Sequence, residues 1–346
     1  MSDTLTLRRP DDWHLHLRDG EALAAVLPHT ARQFARAIVM PNLKPPVTTT
    51  VLATEYRDRI LKARPTGSDF EPLMTLYLTD NTTRVELERA RASGFIVGCK
   101  LYPAGATTHS DAGVTDVRHI DEALAAMADL GLVLQVHGEV TSEAVDVFER
   151  ERRFIDDILA PLVERHRHLR VVFEHITTAA AVDFVQNARS GVGATITPQH
   201  LLYNRNEMFR GGIRPHYYCL PILKTEPDRL ALIKAATGDN PRFFLGTDSA
   251  PHARHTKEAA CGCAGMYSAH AALEMYAEIF ESVAALHRLE AFAAERGPDF
   301  YGLPRNSTTI TLERRAWRVP SHYAFGGDTV IPMRANEQLG WSLVSA

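Results

Sequence analysis

Two histidines two residues apart, His14 and His16, break the apolar alternation of "DDWHLHLRDG". Residues i and i+2 of an extended strand face the same side, so both imidazoles meet at one place, and imidazole is the commonest metal-ligating side chain. A strand with two partly exposed polar positions explains an isolated pair equally well, and the rest of the chain decides between them. Lys100 in "GCKLY", His137 in "QVHGE", His175 in "FEHITT" and Asp248 in "GTDSAPH" also close short apolar runs. Four histidines and a carboxylate form a nitrogen and oxygen donor set that suits Zn2+ with an open coordination position. The number of ligands suggests two ions, one served by His14, His16 and Asp248 and the other by His137 and His175. An anionic bridge is missing from this set, and Lys100 stands where it belongs. An ammonium has no lone pair, but a neutral amine that adds CO2 becomes a carbamate with two oxygens and a negative charge. Flanking cations favour the deprotonated amine. A lysine snorkelling from a strand end is the plainer alternative.

Such residues need a scaffold that gathers them. Eight runs read as strands, at 13–17, 37–42, 73–79, 95–102, 132–138, 170–176, 193–199 and 242–248, with helix-period segments between them such as 49–63, 116–131, 154–166, 177–191 and 226–238. Strand cores that are continuously hydrophobic, each followed by a helix, indicate a parallel sheet covered on its outer face. Eight of them make a closed (β/α)8 TIM barrel, whose C-terminal strand ends share the rim where catalytic groups lie. The candidate ligands fall on that rim one after another. The stretch 103–115, "PAGATTHSDAGVT", is long, polar and without periodicity, as lids and disordered loops are. Beyond the barrel, 306–320 alternates like an edge strand and leads into a Gly/Pro-rich strap, a short C-terminal extension. With no repeat or linker to divide it, the chain is expected to form one barrel domain over 1–346.

Bulk composition removes several function classes. The chain of 346 residues is 45% hydrophobic and 23% charged, with a formal net charge of −4. Such a balance does not draw nucleic acid or an anionic membrane to the whole surface, so an anionic ligand must be held by a local cluster. There is no basic patch interleaved with aromatics of the kind that binds nucleic acid. No apolar run approaches the ~18 residues of a membrane span, and "MSDTLTLRRPDDW" lacks the apolar core of a signal peptide. Cys99, Cys219, Cys261 and Cys263 show no disulfide spacing, which fits a reducing cytoplasm. Cys261 and Cys263 form a CxC that, without a second ligand pair, reads as a tight turn.

A wider set of segments carries a resemblance. "DDWHLHLRDG", "VMPNLKPPVTT", "GCKLYPAGATTHSDAGVT", "QVHGE", "FEHITT", "TPQHLLYNRN", "RPHYYCLPILK", "GTDSAPH" and "CGCAG", with "FYGLP" at 300–304, together resemble the dihydroorotase family, in its short single-domain bacterial form within the amidohydrolase superfamily. The resemblance implies reversible closure of N-carbamoyl-L-aspartate to L-dihydroorotate with loss of water, a step of pyrimidine (UMP) biosynthesis. It implies two Zn2+ per subunit bridged by N6-carboxylated Lys100, with His14, His16 and Asp248 on one ion and His137 and His175 on the other. A bridging hydroxide is then the nucleophile and Asp248 the general acid and base. Arg18, two residues beyond His16, shares its face if the strand stays extended, and a guanidinium can hold a carboxylate by a bidentate pair. A surface ion pair with Asp19 or Asp11 is the plainer role for Arg18. By resemblance Asn42 and His252 complete the clamp, backbone groups near Leu220 and Ala264 read the pyrimidine edge, and Thr107 and Thr108 close over the substrate as a lid. A homodimer is implied in the same way.

Two rivals make different demands. A hydantoinase-like cyclic amidase usually carries β-sandwich strands before the barrel, for which a first barrel strand at residue 13 leaves no room. A catalytically silent scaffold is expected to lose ligands, whereas all six positions are present. His29, His119, His166, His168, His255, His270, His287 and His322 read as surface or packing residues, and His200 as a possible support behind the rim. Met266 stands where the family often has cysteine, and Gly105 and His109 lie where lids vary.

Overall fold

The computed structural model describes residues 3–260 and 262–344; Cys261 of the CxC pair lies outside them. After a short strand β1 (Thr4–Arg8), eight strands follow: β2 (Asp11–Leu15), β3 (Arg36–Val39), β4 (Glu71–Tyr77), β5 (Ile96–Leu101), β6 (Val133–Val136), β7 (Val171–Phe173), β8 (Val192–Ile196) and β9 (Phe243–Leu245). They pair in chain order, all in parallel. The ring closes where Asp248 N–H donates to the His14 carbonyl at 2.8 Å and His16 N–H to the Ser249 carbonyl at 3.0 Å. This is the expected (β/α)8 barrel. Helices at Thr50–Ala63, Arg84–Ala92, Ala179–Asn187 and Glu226–Thr237 begin at Thr49, Thr83, Thr178 and Thr225, whose hydroxyls accept a first-turn N–H. Such caps contribute about 1 kcal/mol each. No helix among the described residues is long and apolar enough to cross a membrane.

Alternation sorts the strand side chains into two layers. Ala37, Val39, Leu134, Val136, Val171, Phe173 and Leu245 join the large core shared with the helices, whereas Trp13, Ile38, Leu73, Val133, Val172 and Phe244 form a separate interior cluster with Tyr301. Trp13 stacks on Tyr301, centroids 4.6 Å apart and planes 9° from parallel, and Phe244 meets Trp13 edge-on at 6.4 Å. Two register shifts interrupt the alternation. Asp12 pairs with Ala37 and Leu15 with Val39, so Trp13 and His14 both stand where β3 has only Ile38. This is a β-bulge, which re-aims side chains next to active sites. It lets neighbouring residues serve the apolar interior (Trp13) and the rim (His14). The second shift places Val97 between Ile96 and Gly98 where β4 steps directly from Met74 to Thr75. Gly98 is needed there, because a Cβ would lie 2.2 Å from the Val133 carbonyl oxygen.

Three expectations need correction. Several strands end earlier than the apolar runs suggest: 170–176 shrinks to Val171–Phe173 and 242–248 to Phe243–Leu245. His175 and Asp248 have φ of 41° and 43°, a left-handed conformation that leaves the parallel ladder. The 306–320 segment is not an edge. Its strand β10 (Thr309–Glu313) is the middle of an antiparallel sheet between β1 and Ser342–Val344, with Ile310 and Leu312 buried beneath it. Finally, one strand does precede the barrel, since β1 finds its partner in the C-terminal extension.

Candidate metal centre and substrate cleft

The donors expected on the rim do converge. His14 lies in β2 and Lys100 in β5, and His16, His137, His175 and Asp248 follow the ends of β2, β6, β7 and β9. Ring centroids of His14 and His16 lie 5.5 Å apart, those of His14 and His175 4.9 Å, and those of His137 and His175 4.9 Å. The nearest ligand atoms of His14, His16 and Asp248 all lie within 4.8 Å of one another, and all three residues are buried. Asp248 Oδ1 stands 3.1 Å from His16 Nε2 and 3.5 Å from His14 Nε2. Its left-handed backbone, shared with His175 and with Arg18 at φ 60°, costs of order 1 kcal/mol or more per residue.

Electrostatics point the same way. Burial pushes His14, His16 and His175 well below the usual imidazole range, helped at His14 and His175 by the charge on Lys100 and at His16 first by Arg18. Neutral imidazoles keep the lone pair a metal needs. Burial also lowers the Lys100 amine to about 8, against the opposing pull of Glu174 and Asp248. Lys100 is fully buried, yet its Nζ has no hydrogen-bond partner; neither has His14 Nδ1 or His175 Nδ1. Buried polar groups are rarely left unpaired; His14 Nδ1 at least lies 3.0 Å from Glu174 Oε2, whereas Lys100 Nζ meets no acceptor. The His14, His16 and Asp248 cluster fits a bound cation, and the unpaired Lys100 amine fits conversion to an anion beside it.

Acidic residues behind the donors escaped the sequence analysis. Glu174 Oε2 accepts from Thr195 Oγ1 at 2.6 Å and lies 3.0 Å from His14 Nδ1, off the hydrogen-bonding direction. Glu139 Oε2 lies 3.0 Å from His137 Nε2. Asp12 accepts from Thr247 N, Thr247 Oγ1 and His14 N, pinning β9 against β2 at the point of closure. Carboxylates paired with metal-type histidines fix ring orientation. The available signal was adjacency, since Glu139 and Glu174 flank His137 and His175 in "HGE" and "FEH".

Above the donors lies a cavity whose wall includes Arg18, Asn42, Thr107, Thr108, Leu220 and Ala264, with Tyr102, Ala250 and Gly265 as additions not foreseen. Arg18 reaches it although β2 does not stay extended. The backbone turns at Arg18, whose Nε donates to the Pro251 carbonyl at 2.9 Å and whose Nη2 lies 3.0 Å from His252 Nε2. The ion pairs considered for Arg18 go elsewhere, Asp19 to Arg59 and Asp11 to Arg36. His252 Nε2 is also 3.0 Å from the Ala264 carbonyl, so one tautomer satisfies only one of these neighbours. Asn42 Oδ1 faces His16 Nδ1 at 2.8 Å, and its amide donates to the Thr108 carbonyl at 3.2 Å.

The 103–115 loop is ordered around buried Ser110, whose hydroxyl donates to the Thr107 carbonyl at 2.6 Å and accepts from Thr107 N at 2.8 Å. His200 supports the rim from behind, its Nδ1 2.7 Å from Thr197 Oγ1 and its Nε2 2.9 Å from the Pro221 carbonyl. Among the histidines read as ordinary, His270 is buried against Tyr267 and Tyr323, while His119 and His255 are exposed near Asp80 and Asp328.

Comparison with known proteins agrees with this geometry. Residues 12–321 match the amidohydrolase family. The chain is 65% identical over 340 residues to a dihydroorotase of Alkalilimnicola ehrlichii, covering 98% of this chain and 99% of that protein. The crystal structure of a Campylobacter jejuni dihydroorotase superposes with a TM-score of 0.91 at 35% identity, covering 99% of this chain and 98% of the other. A Saccharomyces cerevisiae dihydroorotase in complex with 5-fluoroorotic acid gives a TM-score of 0.91 at 32% identity, with the same coverage. By the match along its length and the identity to these enzymes, the chain belongs to the amidohydrolase family and, within it, to the dihydroorotases.

Proposed function

We propose that this enzyme interconverts N-carbamoyl-L-aspartate and L-dihydroorotate plus water in pyrimidine biosynthesis, using two Zn2+ held by His14, His16, Asp248, His137 and His175 and bridged by carboxylated Lys100. The observation that carries the reading is the buried cluster of His14, His16 and Asp248, with a buried, unpartnered Lys100 Nζ on the same rim, lining a cavity that also holds Arg18 and Asn42. Two bound zinc ions would supply Lewis acidity toward the ring carbonyl and lower the pKa of water. A lysine amine brought down to about 8 by burial reacts with CO2 more readily than an ordinary one, since only the neutral form adds.

The chain's own groups do the rest. Arg18 holds a substrate carboxylate, with Asn42 and neutral His252 on either side; burial keeps His252 well below the usual imidazole range. Asp248 takes a proton from the attacking water and delivers it to the leaving ring nitrogen; in the biosynthetic direction it starts protonated and acts as the acid. Main-chain groups of Leu220 and Ala264 meet the ring edge. Thr107 and Thr108, whose hydroxyls have no partner among the described residues, close over the substrate and exclude water. The ligand named for the yeast relative, 5-fluoroorotic acid, is a planar ring acid of the same class as dihydroorotate and supports this reading of the cavity. Free thiols at Cys99, Cys219 and Cys263 support a reducing cytoplasm, and the family resemblance supports a homodimer.

The test is hydrolysis of L-dihydroorotate by purified protein, before and after chelation and with zinc restored. Activity lost with the chelator and recovered with zinc is expected. Absence of turnover with metal fully loaded would overturn the substrate assignment while leaving the donor set intact.

A further inference from the structure

Lys257 closes the short helix Arg254–Lys257 in the connection that follows β9. Its side chain is buried, yet no carboxylate meets it. Instead Nζ donates to three main-chain carbonyls, Tyr218 at 2.8 Å, Cys263 at 2.8 Å and Gly265 at 2.7 Å. An ammonium has three donors, and here all three are used on backbone. The acceptors are not scattered. Cys263 and Gly265 flank Ala264, and Tyr218 is two residues before Leu220, so one ammonium ties together the two segments that form this wall of the cavity. Gly265 N–H donates to the same Tyr218 carbonyl at 3.0 Å, and Cys263 N–H returns to Thr256 beside the lysine at 3.1 Å. Gly265 itself has φ of +147°, and a Cβ there would lie 2.6 Å from the Ala250 carbonyl, so the segment runs as bare backbone against the rim.

We propose that Lys257 is a positioning residue for ring recognition: by clamping three carbonyls it sets the spacing of the Leu220 and Ala264 backbones, and through them the fit of the pyrimidine edge. The inference rests on the substrate reading above. Lys257 is not part of the cavity wall and makes no hydrogen bond to a proposed metal ligand; its contact with the ring-binding segments runs through the main chain. Its charge is also felt at His252, a difference that Lys257→Arg, which keeps the charge, separates from the loss of the clamp. A side chain that merely stabilised the fold would lower melting temperature, zinc content and turnover together. A positioning lysine instead weakens ring binding and spares the metal centre.

The experiment compares Lys257→Met and Lys257→Arg with the native enzyme, measuring zinc content, KM and kcat for L-dihydroorotate, and the dissociation constant of orotate by calorimetry. Lys257→Met should raise KM and the orotate constant roughly tenfold, as expected for loss of buried hydrogen bonds, with full zinc content and kcat little changed. Lys257→Arg, which keeps the charge but offers its donors in a planar fork, should fall between. Unchanged orotate affinity in both variants overturns the proposal, as does loss of zinc and kcat in step with KM, or failure of both variants to fold. If the native enzyme itself neither hydrolyses dihydroorotate nor binds orotate, it is the substrate reading that has failed, and the native control alone reveals it.

Discussion

The two ends of the barrel interior solve opposite problems. At the lower end Trp13, Val133, Val172 and Phe244 interdigitate with Tyr301, whose hydroxyl accepts from Gln135 Nε2 at 3.0 Å. Close packing of this kind is complete in itself. The rim, on the same strands, gathers four histidines, a lysine and acids at similar burial, leaves Lys100 Nζ and His175 Nδ1 without hydrogen-bond partners, and holds His175 and Asp248 in left-handed backbone. One end is packed chiefly with apolar rings, with Trp13 Nε1 and Gln135 Oε1 unpaired among them, and the other gathers metal-type donors beneath a cleft. Neither burial nor an unpaired atom by itself therefore distinguishes core from site; the clustering of metal-type donors beside left-handed backbone does.

The contrast is broken most severely at Lys100. Lys100→Met is expected to lower dihydroorotate hydrolysis by about 10³-fold or more, the several kcal/mol expected of a lost metal-centre interaction, and to reduce bound zinc measured by mass spectrometry. The metal-free variant should nonetheless melt higher than the metal-free native protein, because a buried unpaired amine has been replaced by an apolar chain of similar length. Zinc content equal to native would contradict the assignment. Phe244→Ala tests the other end. Loss of a fully buried ring from the interior cluster should cost about 3–5 kcal/mol in denaturant unfolding, with turnover per folded molecule nearly native.

A smaller effect separates the lid from the metal floor. Removing both hydroxyls in Thr107→Ala with Thr108→Ala should lower turnover roughly 10- to 30-fold, two hydrogen bonds of about 1 kcal/mol each, with zinc content unaltered; native kinetics would reduce the loop to a passive cover. The smallest effect belongs outside both ends. Hydrogen bonds from Arg229, then Asn204, hold the Glu226 carboxyl at about 2, below its usual 4.5. A carboxyl depressed on folding contributes stability that is complete above about pH 4.5 and is lost as pH falls through about 2. Because the Glu226 side of the pair is open to solvent, Glu226→Gln should cost less than about 1 kcal/mol at neutral pH and flatten the acid limb of the stability profile, leaving activity unchanged.

What could be read in advance follows the range of the interactions concerned. Donor types are a property of single residues, so His14, His16, His137, His175 and Asp248 could be singled out as candidates from side-chain chemistry, and Lys100 proposed from the charge the set lacked; the structure brings His14, His16 and Asp248 into one cluster. Strand number and order are carried by local hydrophobic runs and emerged the same way, although run lengths overshot where the backbone turns at the rim. Glu139, two residues from His137, was within reach of local reading, whereas Glu174, which meets His14 and Thr195, and Lys257 escaped because their partners come from distant segments. Tyr218 and Cys263 lie 39 and 6 residues from Lys257, and only folding makes them neighbours. The central place of β10 was missed for the same reason, since edge or centre is decided by what pairs on each side.

The sequence by itself determined which donor types exist and that they fall at the ends of apolar runs, five of the eight. Only the tertiary structure decided that Trp13 and His14, adjacent in the chain, both face the interior, because that depends on a bulge set by register with β3. It also decided that Lys100 Nζ and His175 Nδ1 lack hydrogen-bond partners, since satisfaction of a hydrogen bond is a relation between segments and not a property of either. Side-chain chemistry is local and survives in one dimension; register, convergence and unmet donors arise only when strands far apart in the chain are closed into a ring.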